Sequence, residues 1–335
     1  MQTREATRMS RVLISTSYLH RDCPTDVILR DAGCETVFSP HLDRLDAAQI
    51  EEAFADVDAV IAGTDRFPES VIAAAPRLQI IARTGVGYDR VDVEAATRRG
   101  IAVTTTPGAN AVAVAELAIA LMLSCARHVP IAVASVRQQG WAQQSGRELR
   151  GSTLGVVGFG AVGRLVAAIA AGFGMKVLVT DPLVAAEVVI EAGAVAVDLD
   201  DLLAGSDFVS LHIFLNDATR NLINRETLAR MKPGSILVNT ARGEIIDEGA
   251  LLDAIASGHL AAAGLDVVHD EPLPADSRLR EFGNIVITPH VGGATVEARE
   301  RSSLVAARQV IARLAGGMPE HVVNPEFREF EGVIS

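Results

Sequence analysis

The sequence has only three cysteines among its 335 residues, Cys23, Cys34 and Cys125. They lie far apart, and neither their number nor their spacing matches a disulfide framework or a zinc site. We therefore expect buried thiols and no bound metal.

Positive charge is also scarce, with 30 Lys and Arg against 42 Asp and Glu and a formal net charge of -12. A surface of that sign repels the phosphate backbone of nucleic acids and the headgroups of anionic lipids. The balance argues against nucleic acid or membrane as a partner, so we expect a small-molecule ligand.

Apolar runs of the kind found in signal peptides and membrane spans are missing. The first apolar run, Val12 to Leu19, is short and contains Ser and Thr. We therefore expect no secretory signal and infer a cytoplasmic location. The longest run, Ala111 to Ala126, contains Glu116 and follows the helix-breaking pair Pro107-Gly108, which is typical of a buried helix.

What the sequence does contain is a repeated alternation of strand and helix patterns. The chain is longer than one core usually supports, and 49% of its residues are apolar, so we expect two domains. Val- and Ile-rich runs alternate with Ala-rich helical stretches, which is typical of parallel βαβ units. The sequence predicts an α/β fold with two doubly wound parallel-sheet domains. The strand runs are RVLIST, DAVIAG, LQIIAR and IAVTTT, then TLGVVGF, KVLVTD, FVSLHI, SILVNT, AAGLDV and NIVITP.

The last helix is predicted from Val296 to Leu314, where Thr295 can cap its start and Gly316-Gly317 ends it. This helix lies beyond the last strand of the second domain, so we expect it to pack back on the first domain. The predicted division is 1–108 plus 296–335 for a discontinuous first domain and 109–295 for the second.

A glycine-rich loop follows the first strand of the second domain. The loop GFGAVG comes directly after the strand run LGVV and opens a helix predicted from Arg164 to Phe173, which is the context that the dinucleotide-binding fingerprint requires. Gly158 permits the tight turn, Gly160 lets the backbone approach a pyrophosphate, and Gly163 lets helix and strand pack closely. Ala161 and Val162 lie at the helix N-terminus, which attracts the negative charge. Nucleoside-binding methyltransferases have similar loops, so the loop alone indicates a nucleotide site.

Asp181 ends the next strand, KVLVTD, at 181 − 163 = 18 residues beyond the last glycine of the loop. At this spacing a carboxylate accepts hydrogen bonds from the ribose hydroxyls and repels a 2′-phosphate. The sequence therefore predicts NAD rather than NADP. The alternative interpretation makes Asp181 a turn residue before Pro182.

Three later strands are each followed by a polar residue suited to chemistry. Arg242 follows SILVNT, Glu271 follows AAGLDV, and His290 follows NIVITP. Ligands of open α/β sheets gather beyond the carboxyl ends of the strands. An arginine binds an anionic substrate, a carboxylate orients and tunes a base, and a histidine moves a proton at neutral pH. These three residues are the predicted catalytic group.

Each histidine and arginine in these loops has an alternative interpretation. His269 lies two residues from Glu271 and is a rival base, although a base oriented by a carboxylate from another strand is the more usual arrangement. Arg242, taken alone, would be a surface salt-bridge residue. His212 follows FVSL without an evident titration partner, so we interpret it as a cofactor-pocket or core residue rather than a catalyst.

Several long motifs in order along the chain resemble the D-isomer-specific 2-hydroxyacid dehydrogenase family, most closely its phosphoglycerate dehydrogenase branch. The motifs are RTGVGYDRVD, GFGAVG, NTARGEIIDEGAL, AGLDV and TPHVGGAT. The resemblance implies an NAD-dependent oxidoreductase acting on the CH–OH group of a 2-hydroxy acid. It further implies a flavodoxin-like substrate-binding first domain, a Rossmann NAD-binding second domain, and a homodimer formed through Ala111 to Arg127. Only the short tail REFEGVIS follows VNPEF, so we expect a short form without the family's C-terminal regulatory domain.

The same resemblance implies residue roles. His290 would be the acid/base, Glu271 its partner, and Arg242 the clamp on the substrate carboxylate and carbonyl oxygen. Asp266 would receive the nicotinamide amide. The implied substrate-binding residues are Arg83, Gly85, Val86, Gly87 and Asn110. The expected cofactor-binding residues are Gly158, Gly160, Ala161, Val162, Gly163, Asp181, His212, Thr240, Ala241, Asp266, Gly292 and Gly293.

Two departures from the family pattern leave the substrate open. Phe214 lies two residues after His212, close to where the family often has proline, and places a bulky ring near the cofactor. After Trp141 the chain reads AQQSG, whereas many phosphoglycerate dehydrogenases have basic residues there that meet a substrate phosphate. Arg83 would still serve a phosphate. The acid is therefore 3-phosphoglycerate, hydroxypyruvate, glyoxylate or another 2-keto acid.

The main alternative function is an NAD-sensing scaffold similar to the transcriptional corepressors that share this fold. Such a protein would keep the nucleotide site without physiological turnover. A formate dehydrogenase is disfavoured, because its pattern has a glutamine where this chain has Glu271.

Replacing Asp181 with alanine tests the cofactor assignment. Loss of the carboxylate removes both the ribose contact and the repulsion of a 2′-phosphate, so NADH binding should weaken and discrimination against NADPH should relax. The measurement is the ratio of kcat/KM for NADH to that for NADPH. An unchanged preference for NADH over NADPH would show that Asp181 does not select the cofactor.

Overall fold

The computed structural model describes residues 8–39, 42–141 and 143–330. The chain forms two compact units, the first made of Met1–Asn110 and Val296–Ser335 and the second of Ala111–Thr295. Parts of the predicted first-domain ranges, residues 1–7, 40–41 and 331–335, lie outside the described residues.

Within the described ranges, the first unit is built on a parallel sheet in the order β2-β1-β3-β4-β5. This is the doubly wound order of flavodoxin-type sheets. Four of the strands coincide with predicted runs, whereas β2 was not predicted. The strands are β1 (Ser10–Ile14), β2 (Cys34–Phe38), β3 (Ala59–Ala62), β4 (Ile80–Arg83) and β5 (Ala102–Thr104).

Helices cover this sheet, and the final one returns from the far end of the chain. The last helix, α12 (Val296–Leu314), has the predicted bounds and buries Ala306, Ala307 and Val310 against the strands of the first sheet. The chain then returns to β5, where Asn324 bonds the Val103 N–H and the Ile101 carbonyl. The earlier helices are α1 (Pro24–Asp31), α2 (Ala47–Phe54), α3 (Glu69–Ala73) and α4 (Val93–Arg98).

The second unit is built, over its described residues, on a sheet in the order β12-β11-β10-β9-β6-β7-β8. All of its pairings are parallel, and the order is that of a dinucleotide-binding sheet with one added edge strand. Six strands match predicted runs, whereas β8 was not predicted. The seven strands of this sheet are β6 (Thr153–Val157), β7 (Lys176–Thr180), β8 (Val195–Ala196), β9 (Phe208–Leu211), β10 (Ser235–Asn239), β11 (Leu260–Leu265) and β12 (Ile285–Ile287). The predicted α/β class with two parallel sheets is therefore confirmed.

The apolar stretch that begins at Ala111 is a core helix of the second unit. This helix, α5 (Ala111–Ala126), buries Ala115, Ala118 and Met122 completely and packs against the sheet. None of the described helices is by itself long and apolar enough to cross a membrane; α5 and α6 together reach that length but bend by 65°. The other helices are α6 (Val129–Arg137), α7 (Ala161–Gly172), α8 (Ala186–Glu191), α9 (Leu199–Gly205), α10 (Arg225–Arg230) and α11 (Glu248–Ala256).

The parallel arrangement brings the ends of distant strands together. The loops that follow β6, β9, β10, β11 and β12 all leave the same edge of the second sheet, because their strands run in one direction. The predicted cofactor and catalytic residues of the second unit lie on these loops and on the loop after β7.

Candidate active site

The glycine loop after β6 has the geometry that a dinucleotide requires. Gly158 has a φ of +95°, and a Cβ there would meet the His212 carbonyl oxygen. A Cβ on Gly163 would overlap the Gly158 carbonyl oxygen, whereas one on Gly160 would meet nothing within 4 Å. Two of the glycines therefore let backbone segments pack closely. The third borders open space at the N-terminus of α7.

Asp181 is held beside this loop at the end of β7. One carboxylate oxygen accepts a hydrogen bond from the Phe159 N–H at 2.7 Å, and the other accepts one from the Leu183 N–H at 2.9 Å. The second bond is the turn contact of the alternative interpretation, but the first fixes the carboxylate on the glycine loop. Because a carboxylate has about four acceptor positions, Asp181 keeps capacity for ribose hydroxyls.

The loop after β9 packs beside the same glycines. The His212 Nε2 atom lies 2.9 Å from the Ser210 hydroxyl, and desolvation lowers the pKa of His212 to about 3. A histidine with that pKa is neutral at physiological pH and does not cycle a proton there.

The two departures from the family pattern are Phe214 and the AQQSG segment. Phe214 is 67% exposed. Ala142, the first residue of the AQQSG segment, lies outside the described residues.

Arg242 stands on a turn that a buried asparagine shapes. The Asn239 side chain accepts from the Ala241 N–H at 2.9 Å and donates to the Arg242 carbonyl oxygen at 2.7 Å. The Arg242 guanidinium donates to the Ala241 carbonyl oxygen. Asn239 is fully buried and was missed from the sequence, where its only signal is its place at the end of a buried strand.

Asp266, at the end of β11, anchors the loop that follows β12. Its carboxylate accepts from the Thr288 hydroxyl at 2.6 Å, from the Val291 N–H at 2.8 Å and from the Gly292 N–H at 2.7 Å. Its carbonyl oxygen accepts from the His290 N–H. The residue was predicted to meet the nicotinamide amide; in the structure it is 2% exposed and holds the loop that carries His290.

His290 and Glu271 come together although they follow different strands. The His290 Nδ1 atom lies 2.9 Å from a Glu271 carboxylate oxygen, with both side chains partly exposed. Nδ1 is therefore occupied by the carboxylate, and Nε2 is the ring nitrogen left for another partner. The rival base, His269, approaches Asp270 instead, at 3.6 Å.

The substrate residues implied by the family resemblance lie in the first unit. Arg83 ends β4, is 5% exposed, and donates to the Asp65 carbonyl oxygen at 2.7 Å. The half-buried stretch of Gly85, Val86 and Gly87 follows, and the Gly85 carbonyl oxygen accepts from the Thr106 N–H. Asn110 is the last residue of the first segment of this unit.

The donors and open spaces in the second unit fit NAD. Gly160 leaves room at the helix N-terminus, and Asp181 offers acceptors at the end of the neighbouring strand. The buried Thr240 hydroxyl has no hydrogen-bond partner in the described part of the chain, and a cofactor amide or phosphate would satisfy it. The described residues include no group of three or more His, Cys, Asp or Glu side chains that could hold a metal ion.

Comparison with known proteins gives consistent matches. Residues 119–292 match the family model described as D-isomer specific 2-hydroxyacid dehydrogenase, NAD binding domain. The chain is 47% identical over 256 residues to a D-3-phosphoglycerate dehydrogenase of Mycobacterium bovis, which covers 76% of this chain and 48% of that protein. It is 43% identical over 284 residues to a hydroxypyruvate reductase of Thermotoga maritima, covering 83% and 90% of the two chains.

A solved structure is also similar to this chain. D-lactate dehydrogenase from Aquifex aeolicus, complexed with NAD and lactic acid, has a TM-score of 0.81 and 30% identity, covering 94% of this chain and 99% of that one. The chain spans about half the length of the mycobacterial phosphoglycerate dehydrogenases that it matches. The second unit is an NAD-binding domain, as the glycine loop and Asp181 predicted.

Alanine at Gly163 tests the close packing of the glycine loop. The added Cβ must displace the Gly158 carbonyl, so we expect NADH affinity to fall by at least about tenfold, with a loss of about 1–3 kcal/mol in stability. The readouts are NADH titration by fluorescence and thermal unfolding. Gly172→Ala, on the same helix with nothing within 4 Å, is the matched control. Wild-type affinity and Tm in Gly163→Ala would contradict this geometry.

Proposed function

The chain belongs to the D-isomer specific 2-hydroxyacid dehydrogenase family, and from that premise we propose that it transfers a hydride between NAD(H) and C2 of a D-2-hydroxy or 2-keto acid. One observation carries the proposal. The His290 imidazole is paired with Glu271 at 2.9 Å on the edge of an NAD-binding sheet, on the loop after the last strand. A scaffold that only sensed NAD would have no need of an oriented acid/base pair.

The proposed mechanism in the direction of reduction begins with the histidine. NADH, when bound, supplies the hydride that forms the new C–H bond at C2. As the carbonyl electrons move to oxygen, His290 donates the proton on Nε2 to that oxygen, and Glu271 at Nδ1 stabilises the imidazolium form before transfer. Oxidation runs the same steps backwards, so the neutral imidazole then accepts the hydroxyl proton.

Arginine and backbone amides would bind the acid itself. We assign Arg242 to the negative charge that develops on the reacting oxygen, since a guanidinium always carries charge and presents several donors. In the first unit, the Gly85, Val86 and Gly87 amides are proposed to bind a carboxylate. The hydrogen bonds of the Asn239 side chain fix the backbone at Arg242. Because this backbone is already ordered, substrate binding costs less conformational entropy.

The net charge and the cysteines of the chain indicate its partner and its location. The net charge of -12 supports a small acid rather than nucleic acid or membrane as the partner. The cysteines Cys23, Cys34 and Cys125 are free and buried, which supports a cytoplasmic location. Burial also raises the pKa of the Cys125 thiol to about 12, so that thiol stays protonated and unreactive.

Replacing His290 with alanine tests the mechanism directly. Wild-type protein should oxidise NADH in the presence of at least one of phosphohydroxypyruvate, hydroxypyruvate, glyoxylate and pyruvate. Loss of general acid catalysis should lower kcat by about 10²–10⁴-fold, with the dissociation constant of NADH within about threefold of wild type. His269→Ala, a nearby exposed histidine outside the pair, is the control. Undiminished turnover in His290→Ala would contradict the proposed mechanism.

A homodimer is the assembly that we propose. No residue of α6 is buried, and Val129, Val133 and Val136 form an exposed stripe at helical spacing, followed by Trp141 at 79% exposure. Exposed apolar stripes of this kind mark interfaces between proteins. Because α6 follows α5 directly, the stripe extends the segment from Ala111 to Arg127 that the family resemblance indicates.

Two aspartates on this stripe test the assembly. In Val133→Asp/Val136→Asp the buried charge would oppose association, so the double variant should sediment as a monomer where wild type sediments as a dimer. Ile190→Asp, which replaces a 63% exposed residue of α8, should remain dimeric. A wild-type protein that sediments as a monomer, or a dimeric double variant, would contradict the proposed interface.

A further inference from the structure

The carboxyl edge of the first sheet gathers polar residues beside the amides that are proposed to bind the acid. In a sheet of this order, ligands bind where the connections diverge, which here lies between β1 and β3. The loop after β1 carries Thr16 and Tyr18, and the loop after β4 carries Thr84 and Gly85. These four residues lie at the edge where we propose that the acid binds.

Tyr18 links this edge to the start of α12. Its hydroxyl donates to the Thr84 hydroxyl oxygen at 2.8 Å, one residue before Gly85. The guanidinium carbon of Arg299, in the first turns of α12, lies 4.7 Å from the centre of the Tyr18 ring. A continuous chain of contacts therefore runs from the Arg299 cation to the amides proposed to bind a carboxylate.

Arg299 is held at this position by the helix that carries it. Two residues further along α12, Arg301 donates to the Ala109 carbonyl oxygen at 2.9 Å, next to Asn110. Ser303 accepts a hydrogen bond from the Thr25 hydroxyl at 2.9 Å. The first half of α12 is thus fixed against the segment after β5 and against the first turn of α1.

The charge on Arg299 is not neutralised by a carboxylate. Among the described residues, Arg299 is exposed and forms neither an ion pair nor a hydrogen bond. Arg21 and Arg30, at the same end of the unit, both pair with the buried Asp26, and Arg77 pairs with Asp58. Arg299 is stacked on an aromatic ring instead, which orients a guanidinium while leaving its N–H groups free to donate.

Arg83 is less suited to bind a phosphate than the sequence indicated. It is nearly fully buried, and its guanidinium donates to the Asp65 carbonyl oxygen. The Asp65 carboxylate in turn accepts from the Ser15 hydroxyl and the Leu42 N–H. Arg83 is therefore part of a network that joins the loops after β1 and β3, and we regard it as a positioning residue.

Two buried hydroxyls at this edge indicate room for a polar ligand group. The Thr16 and Thr106 side-chain oxygens are buried, and neither has a hydrogen-bond partner in the described ranges. Thr16 lies in the loop after β1, which also carries Tyr18. Thr106 lies beside the glycine amides, because its N–H donates to the Gly85 carbonyl oxygen. Buried polar groups without partners are uncommon in proteins and are often satisfied by a bound ligand or water.

We propose that Arg299, oriented by Tyr18, is the specificity-determining residue of the substrate site and binds an anionic group on C3 of the 2-keto acid. The inference rests on the proposed function for its substrate class. A phosphate ester is the preferred group, since its two negative charges and several oxygens match the planar guanidinium fork. A carboxylate on C3 has the same chemistry with less charge.

The test compares 2-keto acids with and without an anionic group on C3 in wild type, Arg299→Gln and Arg299→Lys. For Arg299→Gln, kcat/KM for phosphohydroxypyruvate should fall by about 30-fold, equivalent to about 2 kcal/mol, while kcat/KM for glyoxylate changes by less than about threefold. Lysine should restore part of the loss because it keeps the charge. Oxaloacetate, which carries a carboxylate on C3, separates a phosphate requirement from a general anion requirement. The matched control is Arg308→Gln, an exposed arginine nine residues further along the same helix.

The outcomes that would reject the role of Arg299 differ from the outcome that would reject the proposed function. Equal losses for phosphohydroxypyruvate and glyoxylate, or no loss for either, would overturn the role of Arg299. If wild type oxidises NADH with none of the acids, the proposed function fails. The inference is then decided by calorimetric titration with phosphohydroxypyruvate: weaker binding to Arg299→Gln than to Arg308→Gln supports it, and equal binding overturns it.

Discussion

The carboxylate of Asp266 is the group on which the arrangement of the proposed catalytic residues depends. It accepts three hydrogen bonds from Thr288, Val291 and Gly292, which lie on both sides of His290. Hydrogen bonds to a charged group contribute about 1.5–3 kcal/mol each, so a short loop without regular structure is held firmly. The imidazole can then meet Glu271 from another strand, and its second nitrogen is left for the substrate oxygen.

The parts of the fold that the sequence predicted are those with strong local signals. The bounds of α12 are predicted from Thr295 and from the glycines that follow the helix, and the glycine loop predicts the turn and a helix after it, although α7 begins at Ala161 rather than at Arg164. The strands β2 and β8 were missed for a physical reason. Both lie at sheet edges, where one side is unpaired and polar residues such as Glu35 interrupt the apolar pattern, and β8 has only two residues.

Residue roles were harder to predict than residue positions, because burial and long-range contacts are not visible in a motif. Arg83 belongs to a family motif, yet the structure buries it in a network with Asp65. Arg299 belongs to no motif that we could assign, yet it stacks on Tyr18 from the other end of the chain. Asn239 is an ordinary strand residue in the sequence, and only its two hydrogen bonds show that it shapes the Arg242 turn.

Transfer of an isotope label measures the proposed chemistry most directly. The protein would be given NADH carrying deuterium at both hydrogen positions of C4 of the nicotinamide, together with the 2-keto acid, other than glyoxylate, that it reduces fastest. Hydride transfer to C2 should give a product with one deuterium at C2 and the D configuration, established by mass spectrometry and chiral chromatography. A product without deuterium at C2, or a racemic one, would contradict hydride transfer at this site.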